Sequence, residues 1–214
     1  MRSTLWISTS LSIGASALIA MSSGFAHDMD EHMHMHAGHG QKASASMHPS
    51  GPETVSVKPS NTLLSDSEGR QMRLEDDVIG DRIIVLSFVY TSCTTVCPMV
   101  TSVMSDLQSK LGSRLDKDVR LVTLTVDPAR DTPSKLKSYA AQFDAKPSWF
   151  WLTGSSVNVT QALKSFGAYT PNFENHPVIV MIGDGQTGKW SRHYGLSKSD
   201  QFLSQVDEYL SARQ

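Results

Sequence analysis

Two cysteines four residues apart are the groups in this sequence best suited to chemistry. Cys93 and Cys97 are the only cysteines among 214 residues, and they lie within the stretch FVYTSCTTVCP at residues 88–98. Thiolates bind soft metal ions and attack disulfides, so the pair predicts metal binding or thiol–disulfide exchange. A structural disulfide is the alternative, but it would close so short a loop that it would restrain little of the unfolded chain.

The residues on either side predict a turn between a strand and a helix. Residues 81–90 form a nearly continuous apolar run, as in a buried parallel strand, and apolar residues at helical spacing follow from Val100. Proline is favoured at the first helical position, so Pro98 predicts that Cys97 is the N-cap and that Cys93 lies in the loop. The positive end of the helix dipole would then favour thiolate formation.

The remainder of the chain alternates strands with helices. A Ser-Glu-Gly turn predicts a hairpin at residues 61–74, ahead of the cysteine strand. The order of strands and helices along the chain predicts an α/β thioredoxin-like fold, with a central mixed sheet flanked by helices and the N-terminal hairpin added to it. Further strands are predicted at residues 119–126, 149–152, 177–182 and 189–194, and further helices at residues 131–143, 156–166 and 199–212.

The first 26 residues predict an export signal. One positive charge, Arg2, precedes an uncharged stretch that ends in Ser23-Gly-Phe-Ala26, with small residues at the −3 and −1 positions of a signal-peptide cleavage site. The stretch is also long enough for a membrane anchor, although its many Ser and Gly residues favour cleavage. Either outcome predicts a periplasmic or otherwise extracytoplasmic protein, where disulfides persist. Contact with the inner membrane is expected only if the segment is retained.

Residues 27–60 predict a disordered tail ahead of a folded domain at 61–214. From residue 37 onwards the tail is rich in Gly, Ser, Ala, Lys and Pro and has no apolar period. Its first part alternates imidazoles with thioethers, which suit copper in both oxidation states, and predicts an auxiliary, weak copper-binding tail. The alternative is a flexible leader with no specific function. The candidate ligands are His27, Met29, His32, Met33, His34, Met35, His36 and His39.

Three motifs, taken in order, resemble the Sco/SenC family. They are YTSCTTVCP at residues 90–98, VDPARDTP at 126–133, and a lone histidine, His176, before a strand; the resemblance covers about residues 63–210. It implies a thioredoxin-like copper chaperone rather than an enzyme, with one tightly bound copper, Cu(I) or Cu(II), held by Cys93, Cys97 and His176. Asn175 and Pro177 depart from the Asp and the Ser or Thr often found beside this histidine in the family.

The resemblance also implies partners and a task. The chain would deliver copper to the Cu-A site of cytochrome c oxidase subunit II or a similar copper enzyme, or would reduce the recipient cysteines there. A thiol reductant and other copper chaperones are further implied partners. The ligand set agrees with this chemically, because two thiolates and one imidazole suit Cu(I) and can hold Cu(II), whereas zinc would take a fourth ligand or water.

Other polar residues in the motifs have less specific predictions. Asp127 ends an inner strand, so we expect it near the metal site, where it would steer Cu²⁺ or orient a ligand without binding the metal itself. A role as a turn or cap residue is its alternative. Arg130 and Asp131 predict a local ion pair and a helix cap, and His193 predicts a surface position on a hairpin.

Two other function classes stay open. Paired thiols on this fold also fit a periplasmic thiol–disulfide oxidoreductase, although such proteins usually have a C-x-x-C spacing. The Met/His tail also fits a copper storage or tolerance protein. The net charge of −2 gives no electrostatic basis for binding nucleic acid.

Overall fold

The computed structural model describes residues 51–213 as a mixed β-sheet with helices packed on both faces. No helix within these residues is long and apolar enough to cross a membrane. The predicted signal peptide at 1–26 lies outside the described residues. So do the predicted copper ligands of the tail, His27, Met29, His32, Met33, His34, Met35, His36 and His39.

Eight strands and four longer helices make up the described part of the chain. The strands are β1 (Glu53–Val55), β2 (Leu63–Asp66), β3 (Gln71–Arg73), β4 (Ile83–Val89), β5 (Val119–Thr125), β6 (Trp149–Thr153), β7 (Ile179–Asp184) and β8 (Trp190–Tyr194). The helices are α1 (Val96–Leu111), α2 (Pro133–Ala141), α3 (Ser156–Ser165) and α4 (Ser199–Ser211). Shorter helical segments are Leu74–Ile79, Gly112–Arg114 and Phe173–Asn175.

The sheet order brings three loops to the same end of the strands. The strands follow the order β1-β8-β7-β4-β5-β6-β2-β3, in which β4, β5 and β6 are parallel. β7 is antiparallel to β4, with Val180 opposite Ser87. Because β7 runs antiparallel to β4, its first residues lie at the same end of the strands as the last residues of β4 and β5. That end of the sheet therefore carries Cys93 after β4, Asp127 after β5 and His176 before β7.

Alternate residues of β4 point into two separate hydrophobic layers. Val85 and Val89 pack with residues of α1, α2 and α4, whereas Leu86 and Phe88 pack with residues of α3. All seven residues of β4 are buried, which explains why its sequence is apolar at every position except Ser87 rather than alternating. Burying one such apolar side chain stabilises the fold by about 1.5–3 kcal/mol, so β4 is held firmly in the core. The segment that follows it and carries Cys93, the cysteine loop, therefore begins from a rigid strand.

The thioredoxin-like prediction, with its added N-terminal hairpin, is confirmed, but the predicted start of the folded domain at residue 61 is too late. β1 lies within the predicted tail and pairs with β8 as an edge strand, with Glu53 opposite Arg192. Val55 and Val57 pack against the α3 layer. The strand is only three residues long, so its apolar alternation is too short to stand out from the surrounding Pro and Ser residues.

Candidate dithiol and metal site

The first cysteine caps the helix that carries the second. α1 begins at Val96 with Thr95 as its N-cap residue, and the Thr95 side chain accepts no capping hydrogen bond. Instead, the Cys97 amide donates to Cys93 Sγ over 3.4 Å. The prediction that Cys97 is the N-cap is therefore wrong: Cys97 lies inside the first turn, and the Cys93 sulfur receives one of the otherwise unpaired amides of the helix start.

The two thiols differ strongly in acidity. Both are free and each side chain is only 6% exposed. Burial opposes ionisation of Cys93, but hydrogen bonds from the Cys97 thiol and amide and from Thr95 outweigh it and lower the pKa of Cys93 to about 7. Burial, followed by the hydrogen bond to Cys93, raises the pKa of Cys97 to about 12. Cys93 is therefore the thiol that ionises near neutral pH, while Cys97 keeps its proton.

Aromatic rings join the cysteine loop, which follows β4 and carries Cys93, to the histidine loop, which precedes β7 and carries Phe173 and His176. The rings of Tyr90, which precedes the cysteine loop, and Phe173 meet edge to face at 5.0 Å. The guanidinium of Arg130 covers Phe173 at 4.9 Å from the ring centroid. Burial, and then the nearby Cys93 thiol, raise the pKa of Tyr90 to about 12. Tyr90 therefore stays a neutral phenol that covers one side of the dithiol.

His176 is a half-buried, neutral imidazole on that second loop. Its ring lies 5.7 Å from the ring of Phe88, and its Nε2 is buried with no hydrogen-bond partner among residues 51–213. Burial lowers the pKa of His176 to about 4. An unprotonated, unpartnered imidazole is the form that binds metal, so the chemistry of the side chain fits the predicted ligand.

The structure brings the two cysteines together but does not complete a three-ligand cluster. Within residues 51–213, no group of three or more His, Cys, Asp or Glu side chains is placed so that it could hold a metal ion. His176 packs on Phe88, in the α3 layer, whereas Cys93 and Cys97 belong to the layer of α1. The role of His176 as third ligand therefore stays a prediction that requires its loop to move.

Asp127 lies at the predicted strand end, and its contacts are with neighbours in its own loop. The side chain is buried, and its Oδ2 lies 3.3 Å from Arg130 Nη1 without the alignment of a hydrogen bond. Burial raises the pKa of Asp127, while Arg130 opposes the shift. The carboxyl also lines a cavity of about 220 Å³ between α3 and the loop that carries Phe173. Its action on a bound metal stays a prediction.

Asp131 has a different role from the predicted helix cap. Thr132 caps α2 by accepting from the Lys135 amide, and the ion pair of Arg130 is with Asp127 instead. The Asp131 side chain is buried and accepts hydrogen bonds from Thr91 and Thr125. The sequence signal for this residue was an Asp that begins a helix, which also fits a cap, so only the tertiary contacts reveal the difference.

His193 is buried, not at the surface as predicted. Only 5% of the residue is exposed, and its ring meets Phe202 of α4 edge to face at 5.2 Å. Burial lowers the pKa of His193. The prediction failed because β8 is covered on this side by α4, a contact between segments that strand patterning alone does not reveal.

Comparison with known proteins agrees with the fold and the motifs. The family model described as SCO1/SenC matches residues 56–208. The chain belongs to the SCO1/SenC family. Among its SCO1/SenC relatives, the SCO1 protein homolog of Bacillus subtilis is 34% identical over 132 residues, covering 60% of this chain and 66% of the relative. A SCO2-like protein of Rickettsia conorii is 29% identical, covering 58% and 63%. The chain thus spans just under two thirds of these relatives.

Solved SCO1/SenC structures share the fold of residues 51–213. BsSco, described as a member of the Sco family of cytochrome c oxidase assembly proteins with a disulfide switch, has a TM-score of 0.60 and 30% identity, covering 73% of this chain and 94% of that one. ScoI of Bradyrhizobium japonicum, solved with copper bound, has a TM-score of 0.59 and 22% identity, covering 72% and 99%. These matches support the thioredoxin-like architecture independently of the motifs.

Proposed function

We propose that this SCO1/SenC protein binds one copper ion through Cys93, Cys97 and His176 and serves the assembly of the Cu-A site of cytochrome c oxidase subunit II or a similar copper enzyme. The observation that carries the proposal is the paired, unequal dithiol together with a neutral imidazole whose Nε2 is unpartnered, on a loop at the same end of the sheet strands. Two sulfurs and one nitrogen form a soft donor set that suits Cu(I) and can also hold Cu(II). Copper-bound Sco relatives support the same cargo.

The site residues take separate parts in copper binding. Cys93, ionised near neutral pH, provides the first ligand, and Cys97 becomes a ligand by releasing its proton, so binding is coupled to proton release. His176 is already neutral and needs no deprotonation. It must leave its position on Phe88, and the contacts of Phe173 with Tyr90 and Arg130 are those that restrain its loop.

Reduction of a recipient disulfide is the second candidate function, and the same unequal acidity favours it. The Cys93 thiolate would attack the recipient disulfide, form a mixed disulfide and release one recipient thiolate. Cys97, after losing its proton, would then attack Cys93 and release the second recipient thiolate. The chain would end with a Cys93–Cys97 disulfide and the recipient with two thiols. The buried positions of both sulfurs restrict such exchange to a partner that docks closely.

The location and the tail belong to the proposal as well. Export by residues 1–26 would place the protein in the periplasm, where oxidised Cys93 and Cys97 need a thiol reductant before they can bind copper. The His/Met-rich residues 27–39 would gather copper weakly and raise its local concentration near the dithiol. A storage protein, the third candidate, would instead keep most of its copper on that tail.

Copper titration and transfer test the proposed function. The reduced full chain and a Cys93→Ser/Cys97→Ser double variant are titrated with copper in the presence of a chelator that outcompetes the tail. We expect one copper per chain for the unaltered protein, none for the double variant, and transfer of that copper to an apo Cu-A domain. Equal copper contents would refute the dithiol site, and a rise in recipient thiols without copper transfer would favour the reductase function.

A further inference from the structure

The turns that carry Cys93 and His176 have the same construction. In the first turn, the Cys93 amide donates to the Tyr90 carbonyl over 3.2 Å. In the second, the His176 amide donates to the Phe173 carbonyl over 3.1 Å. Each turn therefore begins with an aromatic residue and ends, three residues later, with a proposed copper ligand. Because a hydrogen bond closes each turn, the aromatic residue and the ligand of that turn move together.

The two aromatic residues also form the contact between these turns. The rings of Tyr90 and Phe173 meet edge to face at 5.0 Å, and the guanidinium of Arg130 lies over Phe173 at 4.9 Å from the ring centroid. Arg130 is in turn paired with the buried carboxyl of Asp127, with 3.3 Å between Nη1 and Oδ2. We call Tyr90, Phe173 and Arg130 the aromatic latch, which thus links the loops that follow β4 and β5 to the loop that precedes β7.

The latch is engaged while His176 lies away from the thiols. The His176 ring packs on Phe88 of the α3 layer, with 5.7 Å between ring centroids, and we call this arrangement the open form. In the closed form, His176 would lie beside the two sulfurs. Because Phe173 and His176 belong to one hydrogen-bonded turn, closing would pull Phe173 away from its two partners. The contacts of the latch therefore stabilise the open form relative to the closed form.

We propose that the aromatic latch holds the histidine loop in the open form and thereby sets the copper affinity of the site, with Arg130 as the residue that tunes its strength. This inference rests on the proposed function, since it takes His176 to be a copper ligand. A site that must first close binds its ligand more weakly, in proportion to the fraction of closed protein. Cu(II) is affected more than Cu(I), because two thiolates alone hold Cu(II) poorly.

Substitutions in the full chain remove one latch contact at a time. Arg130→Met removes the cation, whereas Phe173→Leu removes the ring and leaves the ion pair of Arg130 with Asp127 in place. The Arg130 side chain is 56% exposed, so its replacement should leave the fold intact. Arg130→Lys keeps the positive charge and tests rescue. Lys164→Met is the matched control, because Lys164 Nζ lies over the ring of Tyr169 at 5.1 Å, a similar contact outside the latch.

The first readout is taken without metal. Diethyl pyrocarbonate modifies unprotonated imidazoles that it can reach, and peptide mass spectrometry assigns the modification to each histidine. His193, which is buried against α4, serves as the internal reference. In Arg130→Met and Phe173→Leu, the rate of modification of His176 relative to His193 should rise by roughly three- to tenfold, the factor expected from losing one cation–π or aromatic contact.

The second readout is the affinity of the reduced protein for Cu(II) and for Cu(I), measured by competition with chelators. Cys93→Ser/Cys97→Ser serves as the blank for copper bound outside the dithiol. Arg130→Met and Phe173→Leu should bind Cu(II) roughly three- to tenfold more tightly, with a smaller gain for Cu(I), because more of the protein is closed. Arg130→Lys should lie between Arg130→Met and the unaltered protein. A gain in affinity on removing a side chain distinguishes a latch from a merely structural contact.

The outcomes separate the latch from the proposed function. If the dithiol binds copper, an unchanged or lowered Cu(II) affinity in Arg130→Met and Phe173→Leu overturns the inference, as does an equal response of Lys164→Met. Lys164→Met should instead stay within about twofold of the unaltered protein in both readouts. If the dithiol binds no copper, the proposed function fails, whereas faster modification of His176 would still uphold the hold of the latch on the histidine loop.

Discussion

The Cys97 amide donates a hydrogen bond to Cys93 Sγ over 3.4 Å, so the sulfur of one cysteine takes the place of an N-cap side chain for the helix that carries the other. Negative charge on that sulfur is stabilised by the amide and by the positive end of the helix dipole. Burial, and then the hydrogen bond to Cys93, make Cys97 the poorer acid. The spacing of four residues thus gives two chemically identical side chains unequal properties.

This arrangement predicts which thiol reacts first. In the reduced protein, Cys93 should be alkylated by iodoacetamide with a pKa of about 7. Cys97→Ala removes the thiol hydrogen bond and should raise the pKa of Cys93 by about one unit. The rate of alkylation as a function of pH measures this, with Thr95→Val as the control that removes a smaller contribution. An unchanged profile in Cys97→Ala would show that the thiol pair is not the source of the acidity.

Oxidation should switch off the tight copper site. A Cys93–Cys97 disulfide removes both sulfur ligands, so the oxidised full chain should retain only weak copper bound outside the dithiol. Chelator competition on matched oxidised and reduced samples measures the difference, and added dithiothreitol should restore the tight site. Tight binding of one copper by fully oxidised protein would contradict the proposed ligands.

The two histidines within residues 51–213 should respond differently to substitution. His176→Ala should lower Cu(II) affinity by at least about tenfold, because two thiolates alone hold Cu(II) poorly. Cu(I), which two thiolates satisfy, should lose less. His193→Gln is the matched control, since burial lowers the pKa of His193 as well but its ring packs on Phe202 of α4. Equal effects of the two substitutions, or a loss of disulfide exchange without a change in Cu(II) affinity, would refute the role of His176.

Burial of His176 also makes the stability of the metal-free protein depend on pH. Its folded pKa of about 4 lies below the value of 6.5 for an unperturbed histidine, so the unfolded chain binds the additional proton between these two values. The contribution of His176 to the free energy of unfolding is therefore nearly undiminished above pH 6.5. It falls as the pH drops, by about 2 kcal/mol at pH 5 from this residue alone.

Urea denaturation between about pH 7 and pH 5 measures this loss of stability. His176→Gln should flatten the dependence, whereas the smaller contribution of His193 should remain, because burial lowers its pKa as well. An identical pH dependence in the unaltered protein and in His176→Gln would mean that the imidazole is not buried in solution.

Truncation of the tail tests where the folded domain begins. Deletion of residues 27–50 should leave the melting temperature unchanged, whereas deletion of residues 27–60 should lower it, because it removes β1 and the packing of Val55 and Val57. Thermal denaturation of the two metal-free proteins measures the difference. Equal melting temperatures would restore the original prediction that the domain starts at residue 61.

The local elements could be predicted from sequence because each carries its own signal. The apolar run of β4 and the helical spacing that begins at Val100 predict the strand and helix on either side of the cysteines, and the motifs locate the candidate ligands. The partners of Asp131 and His193 could not be predicted in the same way. Their surroundings come from Thr91 and from α4, which approach only through tertiary packing, and no local pattern records such contacts.

The reversed direction of β7 has a consequence for how this protein tolerates changes in length. The position of His176 is set by the register of β7 on β4, where Val180 faces Ser87, and not by the number of residues between α2 and β7. Insertions between residues 169 and 172, in the mostly exposed stretch after α3, would therefore extend outward from the sheet and leave the imidazole in place at the end of the strands. A single-residue deletion between His176 and Ile179 would instead rotate every following side chain of β7 to the opposite face or pull the imidazole away from the thiols.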